Sequence, residues 1–159
     1  MCIRDSQDVR TALARLDELG EPVGTVRRGG VDTSAVLDAW ERALAAPAWQ
    51  GAPVWLHGDL LPGNLILTAG TLTAVIDWGA LGVGDPACDL QPAWHLFTGA
   101  HRRRFRELLA ADDATWARGR GTVIYQAVMA LPYYWRTNPG IVEQSWRALT
   151  AVLADDDAA

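Results

Sequence analysis

HGDLLPGN, residues 57–64, sets His57, Asp59 and Asn64 in an apolar neighbourhood, with Pro62 and Gly63 bending the backbone before the Asn. AVIDWG, residues 74–79, adds Asp77 thirteen positions after Asn64. Short runs rich in Val, Ile, Leu and Trp surround these polar groups, at Val54 to His57, Asn64 to Leu67 and Leu72 to Asp77. The last two runs enclose Thr68-Ala69-Gly70-Thr71, so the segment reads as a small hairpin preceded by another strand, with the polar groups at strand ends or in loops.

Written together, the positions are H-x-D-x-x-x-x-N followed by Asp-aromatic-Gly, the layout of a phosphoryl-transfer site. In that chemistry a carboxylate orients the attacking hydroxyl and takes its proton, while an Asn and a second carboxylate hold Mg²⁺. Two carboxylates about 4 Å apart repel by roughly 4 kcal/mol at an effective dielectric of 20, so Asp59 and Asp77 share a pocket only with a cation or proton between them. Magnesium prefers hard oxygen ligands, and Asn64 adds one without adding charge. Taken singly the signals are weak: His57 alone reads as a loop support that hydrogen-bonds nearby backbone, and an Asp before Trp-Gly as a turn residue. The joint pattern is what discriminates.

Around this segment the period is helical. Val9, Leu13, Leu16 and Leu19 predict a helix over 8–19 that Gly20 stops, and residues 21–32 are rich in breakers and read as a connection. Asp32 or Thr33 then caps a helix bearing Val36, Leu37, Trp40 and Leu44, which Pro47 closes off. From Asp85 onward the pattern predicts helices over 86–97, 101–110, 113–136 and 139–154. Asp85-Pro86 and Asn138-Pro139 each pair an N-cap with Pro at the first helical position. Gly119 and Gly121 weaken the third of these helices. The terminal Asp155-Asp156-Asp157 reads as a frayed, solvated end. MCIRDS at the start matches nothing that follows, so residues 1–7 read as a ragged or non-native terminus and 8–159 as the domain.

Composition narrows the classes. At 159 residues the chain fits one domain that buries about 70% of its unfolded surface. No apolar run approaches the roughly 20 residues that span a bilayer, so neither a membrane nor, at a net charge of -5, nucleic acid is an expected partner. The run His101-Arg102-Arg103-Arg104 reads as a solvated helix face. Cys2 and Cys88 lack metal-ligand spacing and suit a reducing cytoplasm, with Cys88 a small buried residue. All 14 basic residues are Arg, so chemistry that needs a Lys obtains it elsewhere.

HGDLLPGNLIL, followed by AVIDWG and GDPACDL, resembles the aminoglycoside phosphotransferase family, kinase-like enzymes that phosphorylate small hydroxylated molecules. The resemblance implies that Asp59 is the catalytic base, that Asn64 and Asp77 bind Mg²⁺, and that Ile66 and Ile76 form the floor under the adenine. It also implies that Asp89 braces the catalytic loop, with His57 and Asp85 in supporting roles. A protein kinase is the near alternative, but only five residues separate Gly79 from Asp85 and no A-P-E motif follows, which leaves no peptide-holding segment. The acceptor is therefore expected to be a small molecule. Late helices with Asp112, Asp113, Tyr133, Tyr134 and Trp135 resemble the family's substrate-binding region, although an aromatic cluster at that spacing is more often core than pocket.

The family's fold has two lobes, and the β-rich N-terminal one carries a Lys over the nucleotide's phosphates. Nothing before residue 54 looks like that lobe, and Gly79, Gly82 and Gly84 fall in the wrong order for a dinucleotide fingerprint. The expected fold class is α+β, mostly helical: the C-terminal lobe of a protein-kinase-like fold, with a small β-hairpin bearing the catalytic and metal loops and the N-terminal lobe missing. The expected function is ATP- or GTP-dependent transfer of the γ-phosphate to a small-molecule hydroxyl, by a fragment that is inactive alone. A non-catalytic kinase-like binding or scaffold module is the competing expectation.

Overall fold

The computed structural model describes residues 6–19 and 32–156, so the readings for residues 1–5, most of the 21–32 connection and Asp157 lie outside the described residues. The chain divides into two compact units, Met1–Ala45 with Arg120–Ala159, and Ala46–Gly119.

The first unit is helical. Helix α1, Ser6–Glu18, buries Val9, Ala12 and Leu13, one stripe at helical spacing. Helix α2, Thr33–Ala45, starts where the Asp32 carboxylate accepts the Ser34 and Ala35 N–H groups at 3.0 and 3.1 Å, and it buries Val36, Ala39, Trp40 and Ala43. Helix α5, Asp113–Tyr134, is continuous through both glycines, and its later part buries Val123, Ile124, Ala127, Val128 and Leu131. Gly121 serves close packing here, because a Cβ on it would stand 2.9 Å from the Ala43 Cβ. Helix α6, Pro139–Asp156, is capped by Asn138, whose Oδ1 accepts the Ile141 N–H at 3.2 Å, and buries Val142, Ala148, Leu149 and Val152. Asp155 is not a frayed end: its Oδ2 accepts from Arg120 Nε at 3.1 Å. The late aromatics divide, with Trp135 buried in this core and Tyr133 exposed.

The second unit carries the strands. Strands β2, Leu65–Thr68, and β3, Thr71–Val75, form the antiparallel hairpin in the register Leu65↔Val75 and Thr68↔Thr71. Ala69 and Gly70 at its tip both have positive φ, 49° and 81°, which matches the twist of the paired strands. Strand β1, Val54–Leu56, pairs instead with β4, Gly82–Gly84, a strand that the apolar pattern does not predict.

The helix expected over 86–97 is divided. A 3₁₀ turn, Pro86–Asp89, is capped by Asp85, whose Oδ1 accepts the Ala87 N–H at 3.0 Å, and a single turn α3, Pro92–His95, follows. Pro92 has no N–H to give the Cys88 carbonyl, so the α-helical ladder cannot run through. Helix α4, Gly99–Leu108, then presents His101, Arg103 and Arg104 to solvent. Arg102 departs from that solvated face: it is buried and donates from Nε to the Ala93 carbonyl at 2.8 Å and from Nη2 to that of Phe97 at 3.0 Å. The unit's core is completed by Ala87, Leu90, Ala93 and by Trp94 against Trp116, with ring centroids 4.6 Å apart. Among the described residues, no helix is long and apolar enough to cross a membrane.

Asp112 caps α5 by accepting the Thr115 N–H at 2.6 Å, and the bonds from the Thr115 side chain and backbone hold its carboxyl below the usual range. A depressed folded-state value means that the cap's stabilisation is present above the unfolded carboxyl range and is lost as pH falls through the folded one. Asp112→Ala is therefore expected to lower the melting temperature at pH 7, with the difference closing in strong acid. Thermal melts across pH, followed by circular dichroism, measure it.

Candidate active site

The site begins where β1 ends. The Asp89 carboxylate accepts the His57 N–H through Oδ2 and the Gly58 N–H through Oδ1, each at 2.7 Å. Gly58 has φ +82°, and a Cβ there would stand 2.6 Å from the Ala80 carbonyl oxygen, so the position requires glycine on two counts. The chain then turns through Asp59. Leu61 N–H donates to the Asp59 carbonyl at 2.8 Å, Asn64 N–H donates to that of Leu61 at 2.9 Å, and Pro62–Asn64 winds one 3₁₀ turn.

This turn brings Asn64 back onto Asp59. Asn64 Nδ2 donates to the Asp59 carbonyl at 2.8 Å and to its Oδ2 at 3.0 Å, which leaves the Asn64 Oδ1 and the Asp59 Oδ1 uncommitted among the described residues. The Asn64 carbonyl accepts the Ile76 N–H at 3.0 Å, and the Ile76 carbonyl lies 2.9 Å from His57 Nε2. His57 Nδ1 accepts the Asp59 N–H at 3.3 Å, so Nε2 carries the ring proton. His57, Asp59, Asn64 and Ile76 thus form a closed ring of hydrogen bonds.

Asp77 follows directly and is exposed, with φ 62° and ψ 62°. That left-handed conformation costs a residue with a Cβ of order 1 kcal/mol, and such strain concentrates at functional sites. Trp78 secures the turn: its ring lies over His57 with centroids 4.6 Å apart, and its Nε1 donates to the Val75 carbonyl at 3.0 Å. Strand alternation sets Ile66, opposite Ala74, and Ile76 on one face of the hairpin, and both are exposed, at 42% and 45%. Asp85 stands apart from the ring and bonds Arg118 Nε at 2.6 Å, while Arg118 Nη1 donates to the Pro47 carbonyl at 2.5 Å. Among the described residues, no three His, Cys, Asp or Glu side chains cluster as a metal site of their own.

Two residues of this framework escaped the sequence reading. Gln91, fully buried, donates from Nε2 to the Gly58 carbonyl at 3.1 Å and to that of Cys88 at 3.0 Å. Its signal was a lone polar residue in an apolar run. Arg118 gave none, since its partner Asp85 is 33 residues away.

The model of the phosphotransferase enzyme family matches residues 4–122. No curated protein matches the chain. Among solved structures, the chain is similar to ADP-bound aminoglycoside phosphotransferase APH(2'')-Ib, at 16% identity and a TM-score of 0.44 over 93% of this chain and 50% of that one. It is also similar to APH(2'')-IIa in its gentamicin complex, at 18% identity and a TM-score of 0.47 over 92% and 51%. The chain therefore spans about half the length of these structures.

Gly58→Ala is expected to lose about 2 kcal/mol or more of unfolding free energy, from the left-handed backbone and the forced shift of Ala80. Gly63→Ala, where an added Cβ meets nothing within 4 Å, is the control and should stay near neutral. Urea denaturation of both variants reads the difference.

Proposed function

The chain belongs to the phosphotransferase enzyme family, and from that premise we propose that it supplies the catalytic half of an enzyme that moves the γ-phosphate of ATP or GTP to the hydroxyl of a small molecule. The observation that carries the reading is the Asn64 amide held 3.0 Å from Asp59 Oδ2. It fixes the Asp59 carboxylate through one oxygen and leaves the other to accept a proton.

In this reading Asp59 orients the acceptor hydroxyl and takes its proton as the oxygen attacks phosphorus in line. Asn64 Oδ1 and the Asp77 carboxylate are hard oxygen donors of the kind Mg²⁺ prefers and would hold it here. Bound there, Mg²⁺ counters the charge of the phosphates. Ile66 and Ile76 offer an apolar face to the base, and His57, Asp85 and Asp89 hold the loops. The five residues between Gly79 and Asp85 include all of β4, which supports a small acceptor over a peptide. An aminoglycoside is one such acceptor, and the net charge of -5 suits a cationic one. A nucleotide donor and the two cysteines suit the cytoplasm.

One observation favours a second reading. The chain has no Lys to set over a nucleotide's phosphates, and a non-catalytic binding module would need none.

The polypeptide that carries this chain in its natural reading frame should turn over Mg²⁺-ATP with a hydroxylated acceptor, screened across amino sugars and other small alcohols. Asp59→Asn should lower turnover ~100-fold or more, the range of a positioned acid-base group. Undiminished turnover in that variant, or phosphorylation of no acceptor by the parent, contradicts the proposal.

A further inference from the structure

We propose that Gln91 is a positioning residue for Asp59, acting by locking the peptide that joins Gly58 to Asp59; the inference rests on the phosphotransfer reading above. Gly58 is a soft point in the loop. With no Cβ, its ψ can rotate the next peptide at little cost, and that peptide carries the Asp59 N–H. The plane is held at both ends: Gln91 Nε2 donates to the Gly58 carbonyl at 3.1 Å, and the Asp59 N–H donates to His57 Nδ1 at 3.3 Å. Since the His57 bond is long, the amide of Gln91 is the firmer of the two restraints.

The placement of that amide is costly. Gln91 is fully buried, and its Oε1 is buried without a hydrogen-bond partner among the described residues. Turning the amide over would set an oxygen against two carbonyls, so the orientation is fixed by its partners. A Leu or Met would fill the same space with no unpaired acceptor. One of the two Nε2 protons has a local duty, since it satisfies the Cys88 carbonyl that Pro92 cannot serve. The other reaches the loop 33 residues earlier in the chain, one residue before the proposed base.

Gln91→Met removes both donors at similar volume, and Gln91→Leu tests the same loss with a branched side chain. In each, the ¹⁵N order parameter of the Asp59 amide should fall from the rigid value of about 0.85 toward 0.6. In the active polypeptide kcat should fall at least tenfold, with KM for ATP within about twofold, because misplacing the base slows chemistry without loosening nucleotide. Adding Pro92→Ala to Gln91→Met returns an N–H for Cys88, so this double variant should regain melting temperature while the Asp59 amide stays mobile. An unchanged order parameter in both single variants overturns the lock. Full kcat with a mobile amide, while Asp59→Asn is inactive, overturns the positioning role but spares the phosphotransfer reading. Retained turnover in Asp59→Asn overturns that reading itself, whatever Gln91 does.

Discussion

The site depends on one carboxylate that takes no place in the ring it supports. Asp89 holds two successive backbone N–H groups, His57 and Gly58, at the point where β1 gives way to the loop. Charge-assisted bonds of this kind are about twice as strong as neutral ones. Leaving either donor unpaired in a half-buried setting would cost roughly 1–3 kcal/mol. Because both bonds come from a single residue, the loop's first peptides are tied to the segment of 86–95. His57 is thereby placed to reach Ile76, and the hairpin is drawn to the loop.

From that anchor the remaining geometry follows by short-range bonding. Asn64 closes on Asp59, Ile76 closes on Asn64, and His57 closes the circuit with both ring nitrogens engaged. Such a ring is cooperative, since each bond fixes the donor or acceptor of the next. A strained residue lies just outside the ring: Asp77, left-handed and exposed, occupies the corner where the hairpin strand must stop and turn. The exposed carboxylate at this corner suits the ligand role proposed for it.

Much of this was legible in the sequence because it is local. The hairpin is announced by short apolar runs on either side of Thr68-Ala69-Gly70-Thr71, and the caps at Asp32, Asp85 and Asn138 by an acceptor side chain ahead of a helical pattern, at the last two with Pro next. What escaped is non-local. Strand β4 is three residues containing two glycines, with no propensity of its own, and it exists because β1 offers it an edge. Gln91 and Arg118 find partners 33 residues away in the chain, and no periodicity encodes such a pairing. Arg102 was misjudged because three neighbouring Arg residues look solvated, whereas the α3–α4 turn leaves two carbonyls that only a buried guanidinium satisfies. The long helix over 86–97 failed on a single proline at 92.

The most direct test of the account is calorimetric titration of Mg²⁺-ATP into the purified 159-residue chain and into its Asp77→Ala variant. Binding to the parent chain should disappear in the variant, because the Asp77 carboxylate and Asn64 Oδ1 are the protein ligands proposed for the metal. Equal binding by both proteins, or none by the parent, would contradict the claim that this ring of hydrogen bonds is built to present a nucleotide-metal site.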